Sequence, residues 1–105
     1  MAYVYRVQCA VRPDLADQWD TFFQEKHLED VFNTGHFTGY SFRRELEPAA
    51  DGYLIFVSEY YYDAEADFSA YLEGPAAEMK KDVMKYFPEG FRASRSHSQI
   101  IMDKV

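Results

Sequence analysis

The chain has 105 residues, 11 of them basic and 18 acidic, for a net charge of −7, and it is 18% aromatic, with nine Tyr, nine Phe and one Trp. That length allows one domain over residues 1–105 and is too short for two that each bury a core, while a hydrophobic content of 48% excludes a disordered chain. The acidic balance disfavours phosphate backbones and anionic lipid, no apolar run reaches the roughly 18 residues of a membrane span, and the segment starting at Met1 lacks the pattern of a signal peptide.

Residues 3–11 alternate. Tyr3, Tyr5, Val7, Cys9 and Val11 share one face and Arg6, Gln8 and Ala10 the other, which predicts a strand. Cys9 is the only cysteine, so no intrachain disulfide and no thiolate cage can form. A lone reduced thiol without a secretion signal suits the cytoplasm. Pro13 opens a helix, with Asp14 and Asp17 at its N-terminal dipole. Leu15, Trp19, Phe22, Phe23, His27 and Val31 form its apolar face, and Gly35 is its stop. Residues 37–47 read as a second strand, 47–52 as a hairpin loop with Asp51-Gly52 at its turn, and 53–62 as a third strand, apolar on both faces. Asp63 is placed to cap the next helix, with Phe68, Tyr71 and Leu72 facing inward. Gly74-Pro75 breaks that helix. A further helix runs from Ala76 to Phe87, with Met79, Val83 and Phe87 in one row, and ends at Pro88-Glu89-Gly90. Residues 91–102 form the last strand.

The order β-α-β-β-α-β, with right-handed crossovers and a hairpin between strands two and three, predicts an α+β, ferredoxin-like domain. Four antiparallel strands form the sheet and both helical regions lie on one face. The other face then has no cover. With Tyr, Phe and Ile on it, that face would exceed the apolar patch a monomer tolerates. The expectation is a homodimer that turns two such faces together as a dimeric α/β barrel, with a cavity between the sheets for a small-molecule ligand.

His27-Leu28-Glu29-Asp30-Val31-Phe32-Asn33-Thr34-Gly35-His36-Phe37 resembles the helix-end motif H-x-x-D-V-x-x-T-G-x-F of a family of small bacterial proteins labelled a domain of unknown function. Looser similarity covers Tyr5–Val11, Val57–Tyr60, Tyr71-Leu72 and Ser94–Ser96. The resemblance implies a ferredoxin-like fold similar to the dimeric α/β-barrel superfamily, and no activity. Distant relatives of that kind include cofactor-independent monooxygenases, haem-degrading enzymes, chlorite dismutases and muconolactone isomerases. Kinship of fold alone does not transfer their chemistry.

Two groups of residues are candidates for chemistry. His27 and Asp30 are three apart on a helix, so Asp30 could orient His27 as a general base or raise its pKa. The structural alternative ties the helix end to the Thr34-Gly35-His36 turn. Arg43, Glu59, Arg95 and His97 stand in strands rich in apolar or small residues, and are candidates to bind an anionic or polar small molecule or to form interface salt bridges. Tyr60, Tyr61 and Tyr62 read as core or interface anchors. No metal site is expected, because one His-x-x-Asp supplies two ligands and a catalytic zinc needs three protein ligands. Haem or metal binding through His27, His36 or His97 is the weaker class, and no cofactor is expected. Gly-rich phosphate loops, nucleophile elbows and CxxC pairs are absent. The reading is therefore a small cytoplasmic homodimer that binds a small molecule or acts as an interaction module. A cofactor-independent monooxygenase- or isomerase-type enzyme is the alternative.

Overall fold

A computed structural model describes residues 2–104; Met1 and Val105, the ends of the expected domain, lie outside the described residues. Strand β1 (Tyr3–Val11) is followed by a 3-10 turn (Pro13–Leu15) and helix α1 (Ala16–Phe22). A π-helical turn (Phe23–His27) joins α1 to helix α2 (Leu28–Phe32). Strands β2 (Gly39–Arg44) and β3 (Leu54–Tyr62), helices α3 (Glu65–Glu73) and α4 (Ala76–Tyr86) and strand β4 (Phe91–Gln99) complete the chain. No helix among the described residues is long and apolar enough to cross a membrane.

The strands form one antiparallel sheet in the order β2-β3-β1-β4. Register then assigns faces. Tyr5 stands opposite Tyr60 and His97, and Cys9 opposite Phe56 and Ala93. With the alternation of side chains across the sheet, these residues share the face that the helices cover. The core between is aromatic. Trp19 is fully buried and meets Phe23, Phe87 and Phe91 at ring separations of 4.8, 5.0 and 4.9 Å. Tyr5 packs on Phe68 at 4.9 Å, and Phe37 on Tyr71 at the same distance. Such pairs add about 0.5–1.5 kcal/mol each beyond their buried area.

The barrel expectation is corrected. The sheet is open, because β2 pairs only with β3 and β4 only with β1, and it does not close. The premise fails as well. The helix-free face carries Arg6 bonded to Gln8, Arg43 bonded to Glu59, and the serines of β4. Tyr61 is its only strand aromatic, since Tyr3, Tyr5, Tyr40, Phe42, Phe56, Tyr60 and Tyr62 alternate onto the helical face. An aromatic face needing closure does not exist in this register. The fold is an open ferredoxin-like sheet with helices on one side.

Local boundaries also move. The second strand loses both ends of the expected 37–47, and the last strand ends at Gln99 rather than at 102. Ala64, in extended conformation, precedes α3 in place of the expected Asp63 cap. Leu72 is 48% exposed instead of inward-facing, while Phe68 and Tyr71 are buried.

Candidate functional site

A cavity of about 390 Å³ lies between the sheet and its helices. Tyr5, Val7 and Cys9 of β1 and Ser58 and Tyr60 of β3 form its floor. Trp19, Phe23 and His27 form one wall, and Met79, Val83 and Met84 of α4 the other. Arg95 of β4 stands at the exposed end, since β4 is an edge strand that the helices leave open.

The π-helical turn shapes the first wall. The Leu28 amide donates to the Phe23 carbonyl five residues back, which widens the turn. Phe23 and His27, four apart, thereby both reach the cavity and pack ring to ring at 4.7 Å. π-turns inside α-helices recur at functional sites. His27 is 8% exposed, and burial lowers its imidazole to about pKa 4 against the pull of Asp82 and Asp30. The ring is neutral at physiological pH.

Two buried nitrogens in the wall residues, Trp19 Nε1 and His27 Nδ1, have no hydrogen-bond partner among the described residues. An unmet buried polar group costs about 1–3 kcal/mol. A wall built for packing alone would use apolar residues there.

The buried thiol and phenol groups of the lining are held neutral. Burial pushes the Cys9 thiol up to about 12, and it raises the Tyr5, Tyr60 and Tyr71 hydroxyls. Arg95 opposes that rise at Tyr5, Cys9 and Tyr71 and adds to the lowering at His27. Its positive charge is therefore felt across the cavity.

The structure separates the sequence candidates. His27 and Arg95 line the cavity. Asp30 lies outside it and accepts from Lys26 at 2.6 Å, not from His27. Arg43 and Glu59 pair at 2.7 Å on the helix-free face, so Arg95 on the opposite face does not join them. His97 shares the face of Arg95 but packs on Phe68 at 5.0 Å, beyond the cavity lining. His36 packs on Tyr71. Among the described residues no three His, Cys, Asp or Glu stand together as a metal site. Sequence reading did not single out Ser58, which is 3% exposed; a lone serine in an apolar strand was the available signal. For Tyr5 and Cys9 the sequence pattern shows only a shared strand face, and for Trp19 only a helix face.

Residues 2–101 match the family described as a domain of unknown function, DUF4286, and the chain belongs to that family. No curated protein matches the sequence. Among solved structures, a dimeric ferredoxin-like protein from an uncultured marine organism is similar with a TM-score of 0.67 at 14% identity, covering 99% of this chain and 100% of that one. The heme-degrader MhuD from Mycobacterium tuberculosis, with two hemes bound in its active site, gives 0.67 at 19% identity over 98% and 99%. SnoaB, a cofactor-independent oxygenase from Streptomyces nogalater, gives 0.63 at 10% identity over 97% and 95%. Identities this low show the fold alone. The neighbours of this fold are functionally diverse.

Proposed function

We propose that this DUF4286 member binds a small, mostly apolar organic molecule in the cavity between sheet and helices. One observation carries the reading: His27, Ser58 and Arg95 converge on a single aromatic-lined cavity of about 390 Å³. Binding sites typically span about 300–1,000 Å³, with apolar walls and a few placed polar groups. The lone reduced Cys9 supports a cytoplasmic setting.

The neutral two-ring probe 2-naphthamide tests it. Trp19 is the only tryptophan and lines the cavity, so its fluorescence reports binding there. Saturable change in wild type and none in Ala93→Phe, whose ring fills the cavity from β4 and leaves Trp19 the sole tryptophan, is the expected result. Equal binding by that variant would place the ligand elsewhere.

The oxygenase- or isomerase-type alternative needs His27 as base. Burial leaves that imidazole a weak base, and its expected orienter Asp30 is engaged by Lys26. Binding without catalysis is therefore preferred.

We also propose that the chain acts as a pair. Support comes from the dimeric neighbour and from Val4 and Ile55, which are partly exposed on the helix-free face. Light scattering at micromolar concentration is expected to give twice the chain mass. A single-chain mass would end this part of the proposal.

A further inference from the structure

Resting on the cavity reading above, we infer that the ligand is a flat aromatic carboxylate, its rings held against the aromatic floor and wall of the cavity and its carboxylate met by Arg95. Three observations lead there.

The first is shape. Tyr5, Tyr60 and Phe91 present rings from the sheet, Trp19 and Phe23 from the first helical wall, and Tyr71 from α3. Such walls favour stacked or edge-on contact with a planar ring. An apolar cavity of about 150 Å³ takes one benzene ring. The present volume of about 390 Å³ takes a fused ring pair.

The second is charge. Arg95 is exposed at the open end of the cavity and pairs with no carboxylate among the described residues. Arg43 pairs with Glu59, Arg92 with Asp51 and Arg12 with Asp14, while Arg6 and Arg44, the other arginines of the sheet, lie outside the cavity lining. A guanidinium offers two parallel N–H donors that match a carboxylate.

The third concerns competing charges. Lys26 engages both Asp30 and Asp82, which offsets the two carboxylates nearest His27. Lys80 adds a further positive charge to the lining, and Glu89 is the acid among the lining residues. The balance at the mouth favours an anion. Inside, every titratable group is held neutral, so the charge of the ligand belongs at Arg95 and not deeper.

The experiment compares 2-naphthoic acid with 2-naphthamide, which share shape and differ in charge. Affinities are read by calorimetry and by Trp19 fluorescence, with wild type and Arg95→Gln. Wild type is expected to bind the acid about tenfold more tightly than the amide, as a charge-assisted hydrogen-bonded pair implies. In Arg95→Gln the acid weakens to parity with the amide, whose own affinity moves less than about twofold. Arg95 is exposed on an edge strand, so the fold tolerates the change, which far-UV circular dichroism verifies. Equal binding of acid and amide by wild type, or a preference that survives in Arg95→Gln, overturns the inference. In both cases amide binding leaves the cavity reading standing. Failure of both probes to perturb Trp19 overturns the inference and the cavity reading together.

Discussion

Lys26 Nζ lies 2.8 Å from Asp82 Oδ2 and joins the π-helical turn to α4 across the wall of the cavity. The same ammonium holds Asp30 at 2.6 Å. This link spans 56 positions in sequence and ties the two helical walls together. Its members are partly exposed, so the expected stability loss in Lys26→Met is about 1 kcal/mol or less. The sharper effect is local. Amide hydrogen exchange in α4 is expected to accelerate while the strands stay protected. Unchanged α4 exchange would show that packing alone holds that wall.

His27 predicts a pH dependence with a defined sign. Its imidazole titrates near 6.5 when unfolded and is lowered to about 4 when folded. Between those values the unfolded state binds more protons, so stability rises with pH across the window and falls on acidification. The shift corresponds to about 3 kcal/mol, fully expressed only below the folded value. Urea denaturation of wild type and His27→Leu from pH 7 to 4 isolates this from carboxylate titration. The difference between the two proteins is expected to shift by about that amount in favour of the variant at acid pH. A constant difference would mean that His27 ionises as freely in the fold as outside it.

Cys9 is expected to be inert. Burial moves its thiol from 9.0 to about 12, so the thiolate fraction near pH 8 falls about 1000-fold. Iodoacetamide labelling followed by mass spectrometry is expected to be slow in the native protein and fast in urea. Rapid native labelling would show that the floor of the cavity opens to solvent.

Gly90 and Gly35 separate two backbone costs. Both have φ of +88°. A Cβ on Gly35 meets nothing within 4 Å, whereas one on Gly90 meets Leu15 Cδ1 at 2.5 Å. Gly35→Ala carries only the left-handed backbone cost, about 1 kcal/mol. Gly90→Ala adds displacement of the flexible Leu15 side chain, and is expected to lower the melting temperature further. Equal melting temperatures would show that Leu15 moves aside freely.

Local pattern made much of the fold legible. The alternation of Tyr3–Val11 defined β1 with its observed ends, and Gly74-Pro75 separated α3 from α4. His27 was legible as a candidate through its spacing to Asp30, although Asp30 is engaged by Lys26 instead. Other readings needed register. Glu59 and Arg95 look alike in sequence, as charges within strands, yet they stand on opposite faces of the sheet. No local signal distinguishes them, because a shift of one residue inverts every side chain. The π-turn was equally hidden, for a turn one residue wider leaves the apolar row nearly intact.

By itself, the sequence determined an acidic, aromatic domain of β-α-β-β-α-β order, because charge count and hydrophobic period are local properties of the chain. The tertiary structure decided where the aromatics go. Antiparallel register aligned Tyr5 with Tyr60 and placed their rings beneath the helices. That choice left the other face with a single strand aromatic, Tyr61, and set the cavity between sheet and helices with Arg95 at its mouth.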